Sequence, residues 1–172
     1  IGAQAWRIRD MIGNSMLFAR PPLLQKKRLN LVTLLQQILQ PLTQKASEDD
    51  ITIKLASTSD EIMMEADGSQ FGTLAGHLVR NSIEAIRSSG SQGTITVTLR
   101  DDVAGCVELS VNDDGPGSGS DEIRRNLFNP FYSGRAAGRG LGFGLCLAWQ
   151  IVRLHDGLMI HDTPEQGGTA FH

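Results

Sequence analysis

The sequence predicts an α+β domain, a two-layer sandwich with a mixed sheet on one side and helices on the other, preceded by a helical arm. Segments 94–100 (TITVTLR) and 106–112 (CVELSVN) alternate apolar and polar residues as strands do. Segments 67–87 and 141–154 have the length and apolar spacing of helices. Residues 3–19 carry a narrow apolar seam at helical spacing, which predicts the arm.

The first part of the chain is divided by its prolines. Pro21-Pro22 cannot continue a helix, so we expect the arm to cover 1–20 and a linker to cover 21–30. Residues 31–47 are amphipathic, and Pro41 is expected to kink or split this helix. Segments 51–57 (ITIKLAS) and 61–66 (EIMMEA) alternate like strands that pair with each other.

The remaining elements follow from local signals. Asp67 is a suitable N-cap for the helix over 67–87. A loop over 115–140 is rich in Gly, Ser, Asn and Arg, with a short helical patch inside it. A loop of this length inside a compact domain is usually functional. The last strands are expected at LMIHD and at the final TAFH.

Composition restricts the possible classes of protein. The 172 residues suit one domain with a good core, and the formal net charge of -3 argues against a nucleic-acid partner. No apolar run reaches the roughly 18 residues that a membrane span needs. Cys106 and Cys146 lie in apolar surroundings and are expected to be buried, reduced thiols in a cytoplasmic protein. We expect a piece of a longer chain, because it starts with Ile1 and its last strand looks short.

Four motifs occur in order between residues 77 and 144. They are HLVRNSIEAI at 77–86, DDGPG at 113–117, NPFYSG at 129–134 and GRGLGFG at 138–144. As a set, they describe a nucleotide pocket built around an asparagine, an aspartate and two glycine-rich segments.

Each motif has a chemical interpretation and a plainer one. Asn81 lies on the same helix face as His77, and its amide oxygen suits Mg²⁺ already held by phosphates, although a solvent-facing Asn is the alternative. Asp113, at a strand end before Gly-Pro-Gly, could accept from the adenine amine or simply form a turn. The glycines of 138–144 allow the backbone to approach an anion at a helix start, or form a hinge.

The order and spacing of these motifs resemble the catalytic ATP-binding domain of bacterial sensor histidine kinases. That superfamily also includes DNA gyrase, MutL and the heat-shock chaperone ATPases, and it implies a Bergerat-type fold over 31–172. The four motifs match its N box, first glycine box, F box and second glycine box. Residues 1–20 resemble the end of the second dimerisation helix, and about 115–140 would form the ATP lid.

The resemblance implies roles residue by residue. Asn81 would coordinate Mg²⁺, Asp113 would bind the adenine amine, and Thr169 would support Asp113 through water. His77 stands where such kinases often carry Asn or an acidic residue, and could be a base, a weak metal ligand, a phosphate partner or a residue without a role. Arg135 replaces a common lysine and would touch phosphate. The walls of the pocket would be formed by Gly115 and Gly117 on the adenine side and by Gly138, Gly140, Leu141, Gly142 and Gly144 on the phosphate side.

The implied function is the kinase half of a two-component system. ATP and Mg²⁺ are its expected cofactors. Its partners would be its own dimerisation domain, which carries the acceptor histidine in a homodimeric parent, and the receiver domain of a response regulator. The acceptor motif is absent here, so no histidine of this chain is expected to be phosphorylated. Two alternatives remain: a serine kinase of the anti-sigma-factor type, and a non-catalytic module that binds a partner.

Overall fold

The computed structural model describes residues 12–13, 15–16, 18–90, 92–102, 104–117, 119–130, 132, 142–164 and 167–172. Its helices include α1 (Leu31–Ser47), α2 (Gly68–Ser89), α3 (Asp121–Asn126) and α4 (Gly144–Leu154). Its strands are β1 (Lys27–Asn30), β2 (Ile51–Ser57), β3 (Met63–Ala66), β4 (Gly93–Asp101), β5 (Val107–Asp113), β6 (His161–Asp162) and β7 (Thr169–Phe171).

The strands form a mixed sheet and a small ribbon. The main sheet has the order β2-β4-β5-β7-β6, with β2 parallel to β4 and the other neighbours antiparallel. Along β4, Ile95, Val97 and Leu99 are fully buried, while the residues between them are partly accessible. One face of the sheet therefore carries the core and packs against the helices, which confirms the predicted two-layer α+β architecture.

Two details of the strand pairing differ from the prediction. β2 and β3 do not pair with each other: β2 runs beside β4, whereas β3 pairs with β1. Alternation shows which side chains share a face but does not identify the neighbouring strand, and the long α2 crossover makes β4 available to β2. Residues 27–30, expected within a linker, are strand β1.

Helix α1 is one continuous helix through Pro41. The buried residues Leu31, Leu35 and Leu39 recur every four positions and anchor one face to the core. Pro41 cannot donate to the carbonyl of Gln37, but both residues are exposed, so water can satisfy that carbonyl. The predicted split at Pro41 is therefore wrong.

Helix α2 has the predicted cap. The Asp67 carboxylate accepts from the backbone N–H groups of Ser69 at 3.0 Å and Gln70 at 3.1 Å. The helix ends at Gly90, whose φ of 67° is the left-handed conformation that glycine adopts without strain. Both ends lie close to the predicted limits of 67 and 87.

A cavity of about 570 Å³ lies between the first turns of α2, the last turn of α4 and the first half of β5. It is lined mainly by apolar side chains such as Leu74, Val107 and Ile151. Asp113 is at the other end of β5, so this cavity is separate from the predicted pocket. Within the described ranges, none of the helices has the length and apolar character needed to span a bilayer.

Candidate functional site

Asp113 is a buried carboxylate because of its register in the sheet. It is the Cα partner of Ile95, and Val111 is the partner of Val97, so both side chains lie in the row that faces the helices. Only 5% of Asp113 is exposed. Strand alternation thus carries a charged side chain to the end of the apolar face.

Three hydrogen-bond donors from the described residues reach this carboxylate. The backbone N–H of Gly115 donates to Oδ1 at 3.1 Å, and the Ser82 hydroxyl donates to Oδ2 at 2.8 Å. The backbone N–H of Thr169 is the third donor. Burial raises the pKa of the Asp113 carboxyl, although these three hydrogen bonds act in the opposite direction, and the neighbouring Asp114 raises it further. A carboxylate accepts about four hydrogen bonds, so there is room for one more donor.

Glycines allow the chain to fold closely around Asp113. A Cβ on Gly115 would lie 2.9 Å from Asp113 Oδ1. Gly117 has φ +80°, and a Cβ there would lie 3.2 Å from the carbonyl oxygen of Gly168. The first glycine-rich motif therefore brings the backbone close to the Asp113 carboxylate at Gly115 and close to Gly168 at Gly117.

The structure adds two residues that the sequence reasoning missed. Ser82 follows Asn81 in α2 and contacts Asp113 directly. Gly168, with φ +85°, is so close to β5 that a Cβ would overlap the carbonyl oxygen of Asp113 and lie 2.8 Å from its carbonyl carbon. The Gly-Gly pair before Thr169 was the available signal for Gly168, whereas nothing local marked Ser82.

A second group of residues surrounds the start of α4. The N-cap of α4 is Phe143, which makes no side-chain capping hydrogen bond to the first turn of the helix. A Cβ on Gly144 would lie 3.2 Å from Nδ1 of His77. Desolvation by burial, reinforced by the charge of Arg80, lowers the pKa of His77 to about 4. His77 is therefore neutral at physiological pH and lies against a helix N-terminus.

Six of the twelve predicted site residues belong to these two groups. Asp113, Gly115, Gly117 and Thr169 form the first group, and His77 and Gly144 belong to the second. Asn81 links them, because it lies one turn after His77 and directly before Ser82 in α2. Gly142 has φ +68°, a conformation that favours glycine. Outside the described residues are Arg135, Gly138, Gly140 and Leu141.

The end of the N-terminal arm contacts α4. Phe18 packs against Phe143, Cys146 and Leu147, and the side-chain amide of Gln150 donates to the Phe18 carbonyl at 2.9 Å. The segment before the linker is therefore in contact with the helix whose first turn borders the site. Cys146 is buried as expected, but Cys106 is exposed, contrary to the prediction.

Residues 66–172 match the family model described as histidine kinase-, DNA gyrase B-, and HSP90-like ATPase. The chain belongs to this family. The match contains both groups of site residues, from His77 to Thr169. No group of three or more His, Cys, Asp or Glu side chains that could hold a metal ion occurs in the part of the ATPase domain that the structure describes.

Individual relatives indicate which type of ATPase domain this chain resembles. The chain is 29% identical over 168 residues to the sensor histidine kinase ZraS of Escherichia coli (strain K12), covering 98% of this chain and 35% of the relative. It is 32% identical over 174 residues to the C4-dicarboxylate transport sensor protein DctS of Rhodobacter capsulatus, covering 99% of this chain and 26% of DctS. The chain thus spans about a third or less of these curated relatives.

A solved structure agrees with the sequence comparisons. The catalytic domain of histidine kinase ThkA superposes with a TM-score of 0.75 at 26% identity, covering 86% of this chain and 92% of that one. These findings confirm the identification as the ATP-binding catalytic domain of a sensor histidine kinase, with the predicted fold.

Proposed function

We propose that this domain binds Mg·ATP with its adenine at Asp113 and its phosphates toward the start of α4. The parent protein then transfers the γ-phosphoryl group to a histidine on its dimerisation domain, and from there to an aspartate of a response regulator. The observation that carries the proposal is the buried Asp113 carboxylate, which is held by three donors and has room for one more.

The adenine assignment follows from the chemistry of that remaining acceptor position. A buried carboxylate is costly unless it is hydrogen-bonded, and Asp113 has one acceptor position left for a ligand that donates to it. The exocyclic amine of adenine is such a donor. Gly115 lets the backbone pass close to the Asp113 carboxylate, and Gly117 lets it pass close to Gly168, where a Cβ would crowd protein atoms. Thr169 contributes its backbone N–H. We propose that its side chain also supports Asp113 through a water molecule.

The phosphate assignment rests on the N-terminus of α4. The N–H groups of a first helical turn and the positive end of the helix dipole favour an anion at such a position. Gly144 lets this end of the helix lie close to the neutral His77 ring. We propose that His77 lines the phosphate site as a base, a metal ligand or a phosphate partner. The proposed phosphate wall also includes Arg135, Gly138, Gly140, Leu141 and Gly142.

The donor chemistry of α2 fits a magnesium ion shared with the nucleotide. Asn81 offers a neutral amide oxygen, the kind of ligand that hard divalent cations take, one turn from His77. Mg²⁺ would neutralise phosphate charge when bound there. A site completed by phosphate oxygens and water needs few protein ligands, so Asn81 is the metal ligand that we propose.

We further propose the domain organisation and setting of the parent. Residues 1–20 end the second dimerisation helix, 21–30 lead from it into α1 and include β1, and 31–172 form the catalytic domain, with the lid at about 115–140. The contact of Phe18 with α4 supports a connection between the arm and the site. The parent is a homodimer whose catalytic part acts in the cytoplasm and has no nucleic-acid partner. Catalysis would come mainly from positioning and charge neutralisation.

Calorimetric titration tests this proposal. The chain is titrated with ADP and with a non-hydrolysable ATP analogue, with and without Mg²⁺, beside Asp113→Asn. Asp60→Asn, at an exposed carboxylate, is the matched control. We expect binding by the unmodified chain and the control, and loss of binding in Asp113→Asn. Equal binding by both Asn variants would rule out Asp113 as the base-binding residue, and no binding by the unmodified chain would favour a non-catalytic module.

A further inference from the structure

Ser82 makes a hydrogen bond that connects α2 to the base-binding end of the sheet. It is completely buried, and its hydroxyl lies 2.8 Å from Oδ2 of Asp113, 31 positions away in sequence. A serine inside a helix often donates to the carbonyl one turn earlier. Here the hydroxyl donates instead to a carboxylate on β5, and a hydrogen bond to a charged acceptor is the stronger kind.

This bond helps to fix the orientation of the Asp113 carboxylate toward a ligand. Gly115 holds Oδ1 and Ser82 holds Oδ2, so the carboxylate plane is fixed from both sides. With the Thr169 N–H added, the described residues leave about one of four acceptor positions. Asp113 can therefore accept one N–H from a base, but not two adjacent ones.

The number of acceptor positions left on Asp113 distinguishes adenine from guanine. Adenine needs one acceptor for its amine. Guanine presents its ring N–H and its amine side by side, and a carboxylate with both oxygens accessible can accept both. We propose that Ser82 is a positioning residue that sets base selectivity by restricting Asp113 to a single donor. This inference rests on the proposed adenine site.

Removing the hydroxyl tests the proposal without adding volume. Ser82→Ala is compared with the unmodified chain and with Ser110→Ala, which deletes another buried serine on the outer face of the sheet strand that carries Asp113. ADP and GDP are titrated against each. We expect ADP affinity to fall roughly tenfold in Ser82→Ala, as for loss of a hydrogen bond to a charged group, with a smaller ADP preference over GDP. Ser110→Ala should keep both values.

A nucleotide-free measurement separates this inference from the proposed function. Titration of the Asp113 carboxyl by carbon NMR should show a higher pKa in Ser82→Ala, because a bond that stabilises the ionised form is lost. Ser82→Thr keeps a hydroxyl and should restore the original titration and the ADP preference.

The outcomes differ in what they overturn. An unchanged Asp113 titration in Ser82→Ala, or an unchanged ratio of ADP to GDP affinity, overturns the role of Ser82 while leaving the ATP site standing. A shifted titration in a chain that binds no ADP overturns the proposed ATP site, and the selectivity role with it.

Discussion

The backbone N–H of Asp67 donates to Nε2 of His155 at 3.1 Å, joining the start of α2 to the end of α4. The other ring nitrogen of His155, Nδ1, lies 2.9 Å from the carbonyl oxygen of Ile151. This geometry assigns the neutral tautomer with hydrogen on Nδ1. The Asp67 carboxylate also accepts from the backbone N–H of Gln25, so the same junction holds the segment that leads into β1.

His155→Ala should therefore lower the free energy of unfolding by about 1–3 kcal/mol, since it leaves the Asp67 N–H without its acceptor. Urea denaturation measures the change. His172→Ala is the matched control, because among the described residues its ring makes only long surface contacts to Glu108 and Asp162, and such contacts contribute little. Equal losses in the two variants would show that the junction contributes nothing specific.

Gly168→Ala should both destabilise the domain and weaken ADP binding. The new Cβ would overlap the carbonyl oxygen of Asp113, so β5 or β7 must move, and the carboxylate moves with it. Gly167→Ala is the control: its φ of +92° is just as unfavourable for alanine, but no atom lies within 4 Å of the added Cβ. We expect a larger fall in melting temperature and a larger rise in Kd for Gly168→Ala. A match between the two would mean that backbone conformation alone matters.

Asp113 should contribute more to the stability of the domain at acidic pH than at neutral pH. Its folded-state pKa is raised by burial, so the folded protein binds a proton more readily than the unfolded chain. The corresponding stability is present below the unfolded pKa and is lost as pH rises through the folded pKa. The difference in unfolding free energy between the unmodified chain and Asp113→Asn should therefore shift in favour of the unmodified chain as pH falls from 7 to 4. A difference that stays constant with pH would contradict the burial of an ionisable group.

His77 should have the opposite effect. Its folded pKa of about 4 lies below the ordinary 6.5, so the neutral ring stabilises the fold above pH 6.5, and that stability is lost as pH falls toward 4. The full shift corresponds to at most about 3 kcal/mol. His77→Gln should have a flatter stability profile across this interval, measured by thermal melts at several pH values. An unchanged slope would place His77 in water rather than against α4.

Much of the fold and part of the site could be predicted from local sequence patterns. The Asp67 cap, the helix it starts and the strand that delivers Asp113 each depend on residues a few positions apart. Pairing of β2 with β4 could not be predicted, because it is decided by the route of the chain through α2. The bond from Ser82 and the close approach of Gly168 likewise join different elements, and they become visible only in three dimensions.

The alternation of side chains along β5 limits how the length of this strand can differ between related chains. Val107 and Asp113 are separated by six positions, an even number, so both belong to the row of side chains that faces the helices. Inserting or deleting a single residue between them would turn the carboxylate toward the outer face and leave a neighbour in its place. Functional relatives should therefore lengthen or shorten this strand in steps of two, or absorb an odd residue in a bulge before Asp113.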